Sequence, residues 1–84
     1  MLDAREPFEY RHGHVPGADP FPWAQSWQRA GELSPKGPLA VYCGTQVRSS
    51  LTASVLRRHG HDATVVIGGM TDWLDRGYAV DRQP

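Results

Sequence analysis

The chain has 84 residues and a mass of 9.3 kDa, the size of one small domain, so we expect a single domain over residues 1–84. Nine Lys and Arg residues balance nine Asp and Glu residues, giving a formal net charge of +0 at pH 7. A general electrostatic attraction to nucleic acid or to an anionic membrane is therefore not expected. No signal-peptide pattern opens the sequence, and the single cysteine fits a reducing compartment, so we expect a cytoplasmic protein.

The first residues predict a strand followed by a short helix. Residues 1–4 form an apolar stretch that ends at charged residues and proline, which is typical of the end of a strand. Pro7 suits the first position of a helix and Gly13 the position after its end, so a helix is predicted at Pro7–His12. We expect Phe8 to face inward from this helix.

A loop and a second helix are predicted next. Residues 14–20 contain a Pro-Gly turn signal and are expected to form a rigid loop. Trp23, Trp27 and Ala30 recur at the spacing of one helix face, which predicts an amphipathic helix of about ten residues that ends before Gly31.

The second half of the chain has the pattern of a strand–helix–strand unit. Leu39–Cys43 is apolar without alternation, as in a strand buried on both faces, and Thr64–Ile67 has the same character. Between them Val47, Leu51 and Val55, with Leu56 beside them, repeat at helical spacing and predict a helix. Consecutive units of this kind predict a parallel sheet.

The last predicted element is a short helix. Thr71 can cap its start, Trp73 and Leu74 lie within it, and Gly77 ends it. Together these elements predict an α/β fold, a small parallel sheet flanked by helices.

Cys43 is the candidate nucleophile. It ends a predicted buried strand, and ligands bind at the carboxyl ends of strands in open parallel sheets. The loop that follows begins with Gly44 and leads into a helix that carries Arg48. Inward-facing backbone amides, the helix N-terminus and the guanidinium would each stabilise a thiolate, the nucleophilic form of cysteine. A lone cysteine is also commonly an inert buried residue, and that alternative remains open.

The histidine pairs are not expected to bind metal. His12 and His14, and likewise His59 and His61, lack a carboxylate or thiol at familiar ligand spacing. We interpret them as surface or capping residues, and we expect no metal and no cofactor.

Motifs along nearly the whole chain resemble those of rhodanese-like domains. Four motifs occur in the family's order along the chain. They are an N-terminal signature at Leu2–Tyr10, a proline-containing loop at Gly13–Ala18, the active-site loop at Tyr42–Ser50 and a Gly-Gly…Trp element at Gly68–Trp73. The loop is most similar to that of rhodanese domains fused to metallo-β-lactamase-fold hydrolases that act on persulfides.

The sequence departs from the family pattern at two points. The family's usual first strand and helix have no counterpart before Leu2, which implies that the strand at Thr64–Ile67 is an exposed sheet edge. Gln46 stands where the family loop commonly has glycine, which reduces backbone freedom but adds an amide that can contact a substrate.

The resemblance implies a sulfurtransferase in which Cys43 carries sulfur as a persulfide. Its substrates would be a donor, thiosulfate or a persulfide, and an acceptor, a thiol or cyanide, with an acceptor protein or a fused hydrolase domain as further partners. The resemblance assigns substrate binding to the loop residues Gly44, Thr45, Gln46, Val47 and Arg48. It assigns structural support of the loop to Asp3, Arg5 and Ser49. For Asp3 and Arg5 a bracing ion pair is expected rather than a catalytic role.

Loop length separates two chemistries on the resembling fold. Four residues lie between Cys43 and Arg48, whereas the phosphatases that resemble this fold have five, which leaves room for a tetrahedral phosphate. The shorter loop favours transfer of a sulfur atom. The alternative function is a non-catalytic docking or regulatory module of a larger protein. Docking versions of the fold need neither Cys43 nor Arg48, so the presence of both favours the enzyme.

Overall fold

The computed structural model describes residues 1–33 and 37–83. Strands alternate with helices along these residues. The strands are β1 (Leu2–Asp3), β2 (Asp19–Pro20), β3 (Leu39–Tyr42) and β4 (Ala63–Val65). The helices are α1 (Pro7–His12), α2 (Ser26–Ala30, after a 3-10 turn at Trp23–Gln25), α3 (Val47–Arg58) and α4 (Gly69–Asp75).

The strands form one parallel sheet in the order β2-β1-β3-β4. Leu2 pairs with Val41, and Val41 pairs with Val65, so β3 lies in the middle of the sheet. This confirms the predicted α/β fold with helices flanking a small parallel sheet. Within the described ranges no helix is long and apolar enough to cross a membrane.

Two apolar clusters lie on opposite faces of the sheet, because successive side chains of a strand alternate in direction. Val41 and Cys43 belong to the larger cluster, which also contains Leu56 from α3. Tyr42 belongs to the smaller cluster, together with Met70 from α4. The alternation at the end of β3 therefore directs the candidate nucleophile towards α3 and its neighbour Tyr42 towards α4.

Helix α1 has the predicted bounds but buries a different aromatic residue. Phe8, expected to face inward, is 57% exposed, and Tyr10 is buried instead. The hydroxyl of Tyr10 donates a 2.7 Å hydrogen bond to the carbonyl of Ala18, and its ring stacks on His14. The helix turns this polar aromatic face inward because the buried hydroxyl finds an acceptor there.

The segment after α1 differs from its prediction in two ways. Asp19–Pro20, expected to lie in a loop, forms the short edge strand β2, which is too short to show any alternation. The single amphipathic helix expected at Trp23–Ala30 is a 3-10 turn followed by α2. Trp27 is 60% exposed and packs edge-on against His59 rather than entering the core.

Helix α3 forms where its periodicity predicted, but only Val55 and Leu56 of the apolar residues in that pattern are buried. Val47 and Leu51 are 77% and 49% exposed, while Ser49 and Thr52 are fully buried beside the apolar Leu56. Both buried hydroxyls donate to backbone carbonyls in the preceding turn. Small side chains with internal hydrogen bonds let the helix approach the sheet closely, and hydrophobic spacing alone does not reveal this.

The strand predicted at Thr64–Ile67 is β4, one residue earlier and shorter than expected. It lies at the edge of the sheet, as the resemblance implied. Burial on both faces was wrong, because Thr64 is exposed and Ile67, beyond the strand, is 74% exposed.

Helix α4 carries Trp73 and ends before Gly77, as predicted, but Thr71 does not cap it. The helix begins at Gly69, and Gly68 occupies the cap position with a φ of +85°. Trp73 is half-buried and packs against the smaller apolar cluster.

Candidate active site

Cys43 lies at the carboxyl end of β3, in the position that the sequence predicted. The residue is 1% exposed, and it is a free thiol in contact with the larger apolar cluster. Its Sγ donates a 3.4 Å hydrogen bond to Oγ of Ser49, whose hydroxyl donates at 3.1 Å to the carbonyl of Gln46. Ser49, expected to support the loop, therefore contacts the sulfur directly.

Helix α4 holds the loop through its first residue, Gly69. A Cβ at this position would lie less than 3.0 Å from the carbonyl oxygens of Cys43, Gly44 and Thr45, so no larger residue fits without a backbone shift. Its φ of +54° also favours glycine. The next two amides of α4 donate to the carbonyls of Cys43 and Gly44, at 2.8 and 2.9 Å.

Because the loop carbonyls face α4, the backbone amides of the loop point to the side that faces away from α4. No peptide bond among the described residues is cis, and in a trans peptide the N–H points opposite to the C=O. Because the carbonyls of residues 43–45 converge on α4, the amides of residues 44–46 point away from it. None of the described residues accepts a hydrogen bond from the amides of residues 44–49. A row of free amides leading into the start of α3 can bind an anion.

Arg48 is paired with Glu9, a residue that the sequence analysis did not single out. Nη1 of Arg48 lies 2.5 Å from Oε1 of Glu9, and Nη2 lies 3.3 Å from Oε2. The hydrogen bond from Arg48 lowers the pKa of Glu9, and the same bond is the main reason why the pKa of Arg48 is raised. The two residues are 39 positions apart, so no local pattern indicates the pair.

Asp3 and Arg5 form the expected ion pair, inside a buried hydrogen-bond network. Arg5 donates to both carboxylate oxygens of Asp3, at 3.0 Å and 2.8 Å, and at 2.6 Å to the carbonyl of Gly13. The hydroxyl of Tyr42 donates to Asp3 at 2.6 Å and accepts from the amide of Val15 at 3.0 Å. Burial, followed by the bond to Asp3, raises the pKa of Tyr42 far above its ordinary value of 10.0. The network fixes the residue that precedes Cys43.

The remaining loop residues face outward. The side chains of Thr45, Gln46 and Val47 are exposed, and Gly44 is half-buried. Nη2 of Arg48 would lie 3.1 Å from a Cβ at Gly44, so the guanidinium covers this glycine. The structure therefore brings Cys43, Ser49 and the covering Arg48 together, and it leaves the other predicted substrate contacts at the surface of the loop.

The histidines were predicted to be surface or capping residues, and two of the four are buried. His14 and His61 are buried, and each bonds to a backbone carbonyl, that of Tyr10 and that of Ala30. His12 and His59 bond to carbonyls one turn earlier in their own helices. Across the described residues no cluster of three His, Cys, Asp or Glu side chains could hold a metal ion.

A groove of about 400 Å³ lies beside the loop, between α1, α4 and the residues after α4. Cys43 does not line it, but Glu9 does. Its lining consists of Arg5, Phe8, Glu9, His12, Gly13, Met70, Leu74, Val80 and Arg82. Glu9, the partner of Arg48, therefore forms part of the wall of this groove.

The chain is similar to known proteins along most of its length. The family model described as Rhodanese-like domain matches residues 1–76. The protein YqhL of Bacillus subtilis is 36% identical over 74 residues, which cover 87% of this chain and 59% of YqhL. The chain thus spans less than two thirds of the length of this relative.

Two crystal structures extend the comparison. A rhodanese-related protein from Thermoplasma volcanium superposes with a TM-score of 0.87 at 30% identity, covering 95% of this chain and 80% of its own. A thiosulfate sulfurtransferase from Pseudomonas aeruginosa gives a TM-score of 0.80 at 28% identity, covering 99% of this chain and 17% of its own.

Proposed function

The chain belongs to the rhodanese-like domain family, and on this premise we propose that it is a sulfurtransferase in which Cys43 carries sulfane sulfur as a persulfide. The observation that carries the proposal is the position of Cys43: a free thiol at the end of β3, next to a row of unpaired backbone amides. The name of the Pseudomonas aeruginosa neighbour, a thiosulfate sulfurtransferase, supports the same chemistry.

In the first half-reaction the thiolate of Cys43 attacks the outer sulfur of the donor. A new S–S bond forms at Cys43, and the S–S bond of the donor breaks. The electron pair leaves with sulfite when the donor is thiosulfate, or with a thiolate when the donor is a persulfide. The free amides of residues 44–49 stabilise the negative charge that collects at the loop.

In the second half-reaction an acceptor thiolate or cyanide attacks the outer sulfur of the Cys43 persulfide, and the Cys43 thiolate is released. The sequence contains one cysteine, so no second thiol of the chain can resolve the persulfide as an internal disulfide. The acceptor must therefore come from outside: cyanide, a small thiol or a cysteine of a partner protein. A single cysteine without a disulfide partner favours a reducing compartment such as the cytoplasm.

The size of the loop favours sulfur over phosphate as the transferred group. Four residues separate Cys43 from Arg48, and the carbonyls of the loop are already held against Gly69. A loop fixed in this way has little freedom to expand around a tetrahedral phosphate. We therefore expect no useful hydrolysis of aryl phosphates.

The test is intact mass spectrometry after incubation with thiosulfate or with an organic persulfide. We expect the protein to gain the mass of one sulfur atom and to lose it again on addition of cyanide. Cys43→Ser should abolish the gain in mass. Ser50→Ala, at an exposed position in the first turn of α3, should load normally. Thermal unfolding of each variant shows whether the fold is intact.

Two outcomes would reject the proposal. Loading that survives in Cys43→Ser would place the sulfur elsewhere. A folded wild-type protein that takes sulfur from neither donor would instead favour the non-catalytic docking module.

A further inference from the structure

Glu9 already occupies the anion-binding side of Arg48. Both terminal nitrogens of the guanidinium face the two carboxylate oxygens, at 2.5 Å and 3.3 Å. This planar fork is the geometry in which Arg binds a carboxylate or the oxygens of a sulfonate. A donor anion that approaches Arg48 must therefore compete with a carboxylate of the same chain.

The carboxylate of Glu9 is fixed rather than free to move aside. Its Oε1 also accepts a 3.0 Å hydrogen bond from the backbone amide of Glu6, at the start of α1. The side chains of Glu9 and Arg48 are only 26% and 29% exposed, so solvent screens the pair less than a fully exposed one. A negative charge therefore stays at this position.

This fixed charge is linked to the residue beside the nucleophile through Arg48. Arg48 covers Gly44, the residue next to Cys43, since its Nη2 would lie 3.1 Å from a Cβ at that glycine. Cys43 is 1% exposed and the side chain of Arg48 is 29% exposed, so the guanidinium is the more accessible of the two to a donor anion. The negative charge of Glu9 therefore acts on any donor anion that approaches Arg48.

We propose that Glu9 determines donor specificity: by competing for Arg48 it disfavours dianionic thiosulfate and favours donors of lower charge, organic persulfides in particular. This inference rests on the proposed function, in which Cys43 accepts the sulfur. Coulomb repulsion is linear in the charge of the donor, so its effect on the logarithm of the affinity doubles from a monoanion to a dianion. If removal of the charge strengthens binding of a dianion about tenfold, binding of a monoanion of the same shape should gain about threefold.

The test compares two donors that share the sulfonyl group and differ in charge, thiosulfate and methanethiosulfonate. Binding is measured by calorimetry in Cys43→Ser, which cannot react, with and without the second change Glu9→Gln. Glutamine keeps an oxygen that can accept from the Glu6 amide but removes the charge. Glu32→Gln, at an exposed position, changes the net charge equally and serves as the control.

We expect the dissociation constant of thiosulfate to fall about tenfold with Glu9→Gln and that of methanethiosulfonate about threefold, with no change above about 1.5-fold for Glu32→Gln. An equal gain for both donors, no gain, or weaker binding would overturn the proposal. The proposal would also be overturned if neither donor bound Cys43→Ser with or without Glu9→Gln. Removing the Glu9 charge from Arg48 would then have created no anion site.

A kinetic measurement with Cys43 intact separates competition from support of the fold. Competition predicts that Glu9→Gln lowers KM for thiosulfate while kcat changes less than about twofold. A structural role would instead lower kcat for both donors. Because binding is measured without turnover, absence of sulfur transfer in the wild type would reject the proposed function and leave the role of Glu9 to be decided by the binding data.

Discussion

Two carboxylate–arginine ion pairs lie near the nucleophile, and they differ in burial and in the separation of their residues along the chain. Asp3 and Arg5 are two residues apart, and their side chains are 0% and 7% exposed. Glu9 and Arg48 are 39 residues apart, and their side chains are 26% and 29% exposed. The first pair bonds further to Gly13 and Tyr42, whereas the second leaves one edge of Arg48 against the loop.

The difference shows how burial decides what an ion pair can do. A buried pair whose members are also bonded to the backbone cannot exchange partners, because separating its charges would leave one of them desolvated. A pair that is partly exposed contributes little to stability, and a ligand anion can compete for its cation. We therefore assign a structural role to Asp3 and Arg5 and a role in ligand selection to Glu9 and Arg48.

The largest expected effect is the loss of the buried pair. Asp3→Asn leaves Arg5 buried without its counterion, and we expect unfolding free energy to fall by about 3–5 kcal/mol, measured by urea denaturation. Asp72→Asn, in the exposed pair with Arg76, is the matched control and should leave the unfolding free energy nearly unchanged. Similar losses in both variants would remove the distinction between a buried and an exposed pair.

The next effect concerns activity rather than stability. Arg48→Ala removes a charge-assisted contact to the donor worth about 1.5–3 kcal/mol, so kcat/KM for thiosulfate should fall about 10- to 100-fold. Unfolding free energy should change by no more than about 1 kcal/mol. Arg48→Lys should recover only part of the activity, because a point charge does not reproduce the planar fork. Normal transfer by Arg48→Ala would show that this side chain does not contact the donor.

A smaller effect is expected from Tyr42→Phe, which tests the network around the buried pair. The change removes the donor to Asp3 and the acceptor of the Val15 amide, at a cost of about 1–3 kcal/mol. Because the Tyr42 side chain belongs to the cluster on the opposite face from that of Cys43, the rate of persulfide loading should change less than the stability. Rapid-quench mass spectrometry and urea denaturation measure the two quantities. A large loss of rate at unchanged stability would contradict this assignment.

The smallest effect is the pH dependence of the half-exposed pair. The pKa of Glu9 is lowered from 4.5 in the folded state, mainly by its hydrogen bond to Arg48. Its contribution to stability is therefore complete above pH 4.5 and disappears as pH falls through the lower folded-state value. The difference in unfolding free energy between wild type and Glu9→Gln should be at most about 1 kcal/mol near neutral pH and should shrink in acid. A difference that grows as pH falls would be the wrong sign.

The comparison also shows which parts of the site were accessible to sequence reasoning. Asp3 and Arg5 were expected to pair because they end a predicted strand and occur in a motif that resembles the family. Cys43 was placed correctly because a buried strand followed by a glycine and a helix is a local pattern. Gly69 and Glu9 were missed as contacts of the loop, since each reaches it only through the packing of another helix.

The sequence by itself determined the order of the main elements, the parallel sheet and the position of the single cysteine at a strand end, because hydrophobic runs, caps and turns act over a few residues. Only the tertiary structure decided which face of α3 is buried, which aromatic residue of α1 enters the core and which carboxylate meets Arg48. Val47, Leu51 and Phe8 are exposed because the space against the sheet is filled by smaller or hydrogen-bonded side chains. These choices depend on packing and on the satisfaction of buried polar groups between elements distant in the chain, which local patterns do not encode.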